Sequence, residues 1–298
     1  MIGILQNLNL TDEKLKKIEQ WHLSNVQDLI ENFSEELVDN RTIEGLKKEI
    51  SPLTIDEIII SSPSDLKILI SSLPHKELNK YILKYHQNKH IFVYLYDKYR
   101  QAYGSKLVKK LELSVCPYCN KEYISSKGKK TPAQFDHFFN KKEYPILALS
   151  LYNLIPCCAT CNKWKSTAKF NISPYYKKYK TDDIIQFSYT PKDTNDFSIE
   201  VKALITPMEI NVTKLELKER YSIHEDILNE LIEKHRHYVK AYKLFLENIL
   251  KANGVPNGMA LDEFYYGNYL TQDKYYKRPL SKFTRDIIEE LDNINNDE

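Results

Sequence analysis

Most of the chain carries apolar residues at the three- and four-residue spacing that is typical of amphipathic helices. After Thr11, a helix-capping residue followed by acidic positions, apolar side chains recur with this spacing from Leu15 to Ile30. A further periodic stretch, rich in tyrosine, runs over residues 77–103. The pattern therefore predicts that residues 1–105 form an N-terminal helical region.

The C-terminal part of the chain combines two kinds of pattern. Residues 184–189 and 197–205 have the pattern of two short strands joined by a turn. A long helix is then predicted from about 213 to 252, with a break near Ser222. We therefore predict that residues 181–298 form a region of two strands followed by helices.

Composition favours an α+β fold that is mainly helical. Only 7 of the 298 residues are glycine, about 2%, against a usual share of about 7%. Apolar residues make up 42% of the chain and charged residues 28%, so a core can be buried. No run of about 18 apolar residues occurs, and charged residues such as Asp12 and Lys14 exclude a signal peptide. The sequence therefore predicts a cytoplasmic protein without a membrane span.

Charge is distributed unevenly along the chain. The whole chain has a formal net charge of +2, but residues 106–180 contain 15 lysines and 4 acidic residues, a net of +11. The remainder must therefore carry −9. A basic segment inside an acidic body suits a protein that binds nucleic-acid phosphates. A lysine-rich, solvated face would give the same pattern, so charge alone does not decide.

The cysteines point to a metal site. Two C-x-x-C motifs, Cys116 with Cys119 and Cys158 with Cys161, are separated by 38 residues. Two such motifs together supply the four thiolates of a tetrahedral structural zinc site. A redox pair would need only one motif, in a different surrounding pattern. Cys157 is left over, and we expect it to be a buried small residue rather than a ligand.

The segment between the two motifs is longer than in a simple zinc ribbon. Tyr123-Ile124 and Gln134-Phe135 have the pattern of two short strands around a lysine-rich turn, and the second strand ends in Asp136-His137. Residues 147–152 can form a short helix that leads to Asn153. A helix with basic residues on successive turns is predicted to begin near residue 159.

At this point the sequence resembles the ββα-metal core of HNH endonucleases. It is similar in particular to the HNH nuclease component of Septu-type and retron-associated anti-phage systems, in which the nuclease is paired with an ATPase. The motifs that carry the resemblance are Cys116-Pro117-Tyr118-Cys119-Asn120, Asp136-His137-Phe138-Phe139, Tyr144-Pro145-x-Leu147-Ala148-Leu149, Asn153-Leu154-Ile155-Pro156-x-Cys158-x-x-Cys161-Asn162-x-x-Lys165 and Lys277-Arg278-Pro279-Leu280-Ser281-Lys282. The core match covers about residues 114–170.

The resemblance implies a zinc-stapled HNH module over residues 106–180, embedded in helical flanks. One position departs from the family, because Asn140 stands where a proline is usual. This difference predicts a looser loop after the strand but removes no chemical group.

Chemistry assigns His137 the role of general base for the hydrolysis of a phosphodiester. Imidazole titrates near neutral pH, and its other ring nitrogen must be held in one tautomer. Asn153 is the candidate that holds either the neighbouring loop or the ring. Both residues, with Asp136 and Asn162, form the predicted catalytic set.

The resemblance places Asp136 and Asn162 on a catalytic Mg²⁺ or Mn²⁺ ion. In an ideal strand Asp136 and His137 point to opposite faces, so this role requires a bend at the end of the strand. Asparagine oxygen is a hard ligand that suits Mg²⁺. Lys163 and Lys165 are predicted to hold neighbouring phosphates of the nucleic acid.

The sequence therefore predicts a metal-dependent endonuclease that cuts DNA as part of an anti-phage system, with an ATPase partner and no membrane association. Two alternatives stay open. The same nuclease could act on RNA such as tRNA, because the chemistry requires only a phosphodiester. The chain could also be a non-catalytic zinc module that binds nucleic acid or protein.

Overall fold

The computed structural model describes residues 2–6, 10–126, 128, 130–193, 196–238, 240–254 and 261–296. Within these ranges the chain is mainly helical with two small antiparallel sheets, which confirms the predicted α+β class. The helices are α1 Asp12–Glu31, α2 Ile43–Ile50, α3 Ile55–Ile60, α4 Pro63–Ser72, α5 His75–Leu78, α6 Ile91–Lys110, α7 Ala159–Lys165, α8 Thr181–Ile184, α9 Thr206–Lys214, α10 Leu217–Tyr221, α11 Glu225–His237, α12 Lys240–Ala252, α13 Leu261–Tyr266 and α14 Ser281–Asn296. The strands are β1 Gln134–His137, β2 Leu154–Cys157, β3 Ile185–Asp193 and β4 Asp196–Ala203.

The N-terminal helices form as their pattern predicts. The Thr11 hydroxyl accepts a hydrogen bond from the backbone of Lys14 and so caps the first turn of α1. The apolar face of α1 then packs against α6, where the rings of His22 and Tyr99 meet edge to face. This pair of helices forms the wall against which the cysteine-containing segment lies.

The strand pairing of the central segment differs from the prediction. β1 pairs with β2, so that His137 lies opposite Leu154, whereas Tyr123 makes only an isolated bridge with Val115. β2 contains Pro156, which has no N–H to donate to a strand ladder. A proline argues against a strand, so β2 is difficult to predict from the sequence. The predicted hairpin around the lysine-rich turn is wrong, and the sheet instead joins two segments on either side of a loop.

The short helix predicted over 147–152 is present as two 3₁₀ turns, Pro145–Leu149 and Leu151–Asn153. The predicted helix near residue 159 is confirmed as α7, whose first turn is capped by the Cys158 sulfur through the Cys161 backbone N–H. The order β1, loop, β2, α7 therefore brings the second cysteine pair directly after the sheet.

The C-terminal region contains the predicted pair of strands, since β3 and β4 form an antiparallel hairpin. The predicted helix over 213–252 is interrupted more often than expected. Glu216 has a positive φ of 47° at the start of α10, and a 3₁₀ turn over Ser222–His224 separates α10 from α11. A left-handed residue cannot continue a right-handed helix. The glycine and proline residues of 253–258 also predict a loop, and most of that segment lies outside the described residues.

The hydrophobic interior of the described chain contains two clusters. The larger one reaches from Ile2 to Tyr276 and includes residues on both sides of the expected boundary at 105, among them Tyr99 and Ile146. The smaller one joins β3 and β4 to α11 and α14. No described helix has the length and apolar character that a membrane crossing demands.

Candidate functional site

The four cysteines of the two C-x-x-C motifs form one buried cluster. The Sγ atoms of Cys116, Cys119, Cys158 and Cys161 all lie within 4.8 Å of one another, and those of Cys119 and Cys158 are 4.0 Å apart. Sulfur atoms about 2.3 Å from a tetrahedral zinc ion are separated from each other by about 3.8 Å. The cluster therefore has the donors and the spacing to hold a metal ion such as zinc. Cys157 is buried outside the cluster, as predicted.

Burial and mutual hydrogen bonds shift the pKa values of these thiols in opposite directions. Hydrogen bonds from the other three thiols hold the pKa of Cys119 well below its ordinary value. Burial, by contrast, raises the pKa of Cys116 well above its ordinary value. A metal ion bound here would take its ligands as thiolates, as in structural zinc sites.

Arg220 is a residue of this site that the sequence analysis did not single out. Its guanidinium, at the end of α10, donates to the Cys161 sulfur at 3.2 Å and to the Glu122 carboxylate at 3.1 Å. The same guanidinium lies 4.9 Å from the centre of the Trp164 ring. Because four thiolates around a divalent cation carry a net negative charge, this buried arginine would offset the charge of a metal-bound cluster. Arg220 is 59 residues from Cys161 in sequence, so no local pattern could have identified it as part of the site.

Residues 275–282 hold the first cysteine motif from outside. Asn120, which follows Cys119 with a positive φ of 52°, donates to the Tyr275 carbonyl at 2.8 Å. Its own carbonyl accepts from the Leu280 N–H at 2.7 Å, and its side-chain oxygen accepts from the Lys282 N–H at 3.1 Å. The C-terminal motif noted in the sequence is therefore a clamp on the cysteine cluster.

Asp136 is buried in a network of donors on the α7 side of β1. Tyr118 donates to Oδ2 at 2.6 Å, and Lys165 donates to Oδ1 at 3.0 Å. Burial raises the pKa of the Asp136 carboxyl above its usual value, although the Lys165 ammonium and the Tyr118 hydroxyl act in the opposite direction. Both oxygens of this carboxyl group thus already have partners within the protein.

The two lysines predicted to hold phosphates lie in different environments. Lys165 is only 1% exposed, and its ammonium also donates to the His137 carbonyl at 3.0 Å. The prediction for Lys165 is wrong, because a buried ammonium bonded to Asp136 does not face a nucleic acid. Lys163 is exposed on α7, and its contact with phosphate stays a prediction.

Asp136 and Asn162 do not fit a catalytic magnesium site as they are arranged. A lysine ammonium lies 3.0 Å from Asp136 Oδ1, where a divalent cation would have to approach. Asn162 is half-buried and donates to the side chain of Gln134 at 2.6 Å instead of joining Asp136. The expected magnesium or manganese site is therefore not supported, since a metal would have to displace Lys165.

His137 faces the other side of β1, toward α6. Its Nε2 lies 3.1 Å from the Ala148 carbonyl oxygen, and its ring meets the Tyr96 ring edge to face with centroids 4.5 Å apart. A carbonyl can only accept, so Nε2 must carry the proton and Nδ1 must be the basic nitrogen. Burial, and then the charge of Lys141, lower the pKa of His137 to about 3, so the imidazole is neutral at pH 7.

Asn153 holds the loop that follows β1, which is the first of its two expected roles. Its side-chain oxygen accepts from the Phe139 N–H at 2.7 Å, and its amide nitrogen donates to the carbonyls of Phe139 and Leu147 at 3.2 and 2.9 Å. The loop is not loosened by Asn140, since the Asn140 side chain accepts from the Lys142 N–H at 2.9 Å. The loop is therefore fixed by hydrogen bonds from both sides.

The expected catalytic set is thus split between two faces of one strand. Asp136 joins Tyr118 and Lys165, whereas His137 joins Tyr96 and the Ala148 carbonyl. In the first group, both oxygens of Asp136 have hydrogen-bond donors. In the second group, the hydrogen bond of His137 uses Nε2, and within the described residues Nδ1 makes none. Comparison of the chain with protein-family models, with curated proteins and with solved structures finds no match.

Proposed function

We propose that this chain is an endonuclease of the HNH type that hydrolyses phosphodiester bonds of DNA, with His137 as its general base. The observation that carries the proposal is the setting of His137. Its Nε2 is committed to the Ala148 carbonyl, so that Nδ1 of a neutral imidazole is left to accept a proton. The fixed loop at Asn153 and the cysteine cluster at the start of α7 support the same proposal.

In the proposed reaction, His137 Nδ1 accepts a proton from a water molecule. The water oxygen forms a bond to phosphorus, and the bond from phosphorus to the leaving 3′ oxygen breaks. The leaving oxygen then takes a proton from solvent. No step is assigned to Mg²⁺ or Mn²⁺, because Asp136 is occupied by Lys165. The role of the cysteine cluster, with zinc as the proposed metal, is to hold α7 against β1.

An ATPase partner and a role in anti-phage defence belong to the proposal through the resemblance of the cysteine, Asp-His and Asn motifs. The negative charge of −9 outside residues 106–180 is consistent with a partner that docks on the flanks. A nuclease that requires such a partner would be inactive alone, so the partner enters the test below.

A non-catalytic zinc module that binds nucleic acid or protein is the second candidate. The buried pair of Lys165 and Asp136 favours it, because this pair closes the face on which a catalytic metal was expected. The pKa of His137, about 3, also favours it, since a base with so low a pKa is a weak proton acceptor.

The experiment is cleavage of supercoiled plasmid, single-stranded RNA and tRNA by the purified chain. Each substrate is tested with Mg²⁺, with Mn²⁺ and with EDTA, alone and together with any ATPase encoded beside it and ATP. The variant His137→Ala is compared with His237→Ala, which removes an exposed histidine on α11.

Loss of a general base lowers the rate by about 10²–10⁴-fold. We expect His137→Ala to lose cleavage to this extent and His237→Ala to keep it. The substrate that is cut separates DNA from RNA. Equal activity of the two variants would overturn the role of His137. Absence of cleavage with the partner and ATP present would overturn the nuclease proposal and favour the zinc-module function.

A further inference from the structure

Basic side chains surround the face of β1 on which His137 lies. Lys89, Arg100 and Lys142 are close enough for their charges to act on Lys141, and Asp97 is the acid that acts there. Asp97 is itself bound by Lys89, with Nζ and Oδ2 2.6 Å apart. The negative charge of Asp97 is therefore largely neutralised by Lys89. The other basic side chains then give this face a net positive charge.

Lys141 is the member of this group whose charge acts on the candidate base, His137. It is half-buried, and its Nζ lies 4.5 Å from the centre of the Tyr96 ring. That same ring has its centroid 4.5 Å from the His137 ring. Lys141 Nζ and the His137 ring are therefore no more than about 9 Å apart.

Lys141 also lacks an acidic partner within the described part of the chain, where no ion pair involves it. A half-buried ammonium without a counter-ion is costly, and burial accordingly lowers the pKa of Lys141. An anion that binds beside Tyr96 would remove this cost. The position thus has a cation, an aromatic ring and a neighbouring proton acceptor, and its nearby acid, Asp97, is shared with Lys89.

We infer that Lys141 binds a non-bridging oxygen of the phosphodiester on which His137 acts. This inference rests on the proposed nuclease function and adds the group that neutralises the phosphate. An extended path from the base through water, phosphorus and oxygen to an ammonium spans about 9–10 Å with ordinary contact distances. A path that bends at phosphorus is shorter and fits within the upper limit of about 9 Å between the two side chains.

The test uses the full chain and a short DNA duplex labelled with a fluorophore. The variant Lys141→Met keeps the apolar stem on Tyr96 and removes the charge, and Lys141→Arg keeps the charge. Lys142→Met is the matched control, because it removes one positive charge from the next residue, which is exposed. Binding is measured by fluorescence anisotropy, cleavage by gel, and folding by thermal unfolding.

Removing one donor that stabilises transition-state charge costs about 10²–10³-fold in rate. We expect Lys141→Met to lose this much cleavage, Lys141→Arg to recover part of it and Lys142→Met to lose only binding, by about the amount of one phosphate contact. If Lys141→Met behaves like Lys142→Met while His137→Ala is inactive, the inference is overturned and the nuclease proposal stands. If no protein cleaves but Lys141→Met binds DNA more weakly, the nuclease proposal and the catalytic role of Lys141 both fall.

Discussion

Lys165 and Asp136 form a buried ion pair with Nζ and Oδ1 3.0 Å apart, and their side chains are only 1% and 4% exposed. The pair joins the last turn of α7 to β1. Lys165 also donates to the His137 carbonyl, so one ammonium fixes two consecutive residues of the strand. The pair therefore holds α7 in place beside the cysteine cluster.

Breaking this pair on one side should destabilise the fold. Lys165→Met leaves the Asp136 carboxylate buried without its cation, and such a loss costs about 3–5 kcal/mol. The double variant Lys165→Met with Asp136→Asn removes both charges and should recover much of the loss. Unfolding in urea measures both. The control Lys169→Met removes an exposed pair with Glu143 and should leave stability nearly unchanged, because solvent screens such a pair.

The same variants separate a structural from a metal-binding role of Asp136. If Lys165→Met became more stable on addition of Mg²⁺, by binding the ion at the freed carboxylate, Asp136 would have metal-binding capacity after all. We expect no such stabilisation, because Asn162 is bonded to Gln134 and supplies no second ligand.

Metal removal should unfold the central segment. Cys116→Ser and Cys158→Ser each remove one sulfur of the cluster, and metal binding at such sites contributes about 10–16 kcal/mol to folding. We expect one zinc per chain by elemental analysis, and loss of zinc with loss of the cooperative transition in both variants. Cys157→Ala is the matched control, since Cys157 is equally buried but outside the cluster. Zinc loss from Cys157→Ala would contradict the assignment of ligands.

Arg220 should tune the affinity of the cluster for its metal. Its Nη1 donates to the Cys161 sulfur at 3.2 Å. Loss of such a supporting contact typically lowers metal affinity by about 10–100-fold. Competition with a chromogenic chelator measures this change in Arg220→Met. Arg236→Met, an exposed arginine on α11 paired with Glu233, should leave the affinity unchanged.

His22 should make stability depend on pH. It is fully buried, with Nδ1 2.7 Å from the Tyr99 hydroxyl and Nε2 2.8 Å from the Leu149 carbonyl. Burial lowers its pKa from 6.5 to about 4. The unfolded chain therefore binds the proton more readily, so the contribution of His22 is complete above about pH 6.5 and is lost as the pH falls toward 4.

Between about pH 7 and pH 5 this loss amounts to about 2 kcal/mol for one histidine. Urea unfolding at the two pH values measures it. The variant His22→Asn cannot titrate, and its stability should fall less between these pH values than that of the parent chain. His237→Asn should keep the parent's pH dependence, because His237 is exposed. An unchanged dependence in His22→Asn would show that other groups carry it.

The cysteine cluster is predictable because the spacing within each C-x-x-C motif is local and two motifs complete one set of four ligands. The burial of Lys165 could have been predicted from its spacing to Cys161, although a count of charges suggested an exposed lysine. Lys165 follows Cys161 by four residues, so both lie on one face of α7, and that face is buried. A lysine on the same face as a metal-binding cysteine points inward.

Other features depend on contacts between distant parts of the chain. The pairing of His137 with Leu154 requires a loop to bring two short strands together, and Pro156 obscures the second strand. The contact of Arg220 with Cys161 crosses 59 residues. Neither the pairing of the two strands nor the Arg220 contact produces a periodic pattern in the sequence. Both are determined by tertiary packing and not by local preference.

The clamp on Asn120 has a consequence for the order in which the protein is made. Asn120 is synthesised 155 residues before Tyr275, whose carbonyl it must reach. Contacts that close so long a stretch of chain form late and slowly. A polypeptide that terminates before residue 275 thus contains all four cysteines and still lacks the hydrogen bonds that hold the first pair. In such a product Asn120 would be without the three partners, Tyr275, Leu280 and Lys282, that anchor it in the full chain.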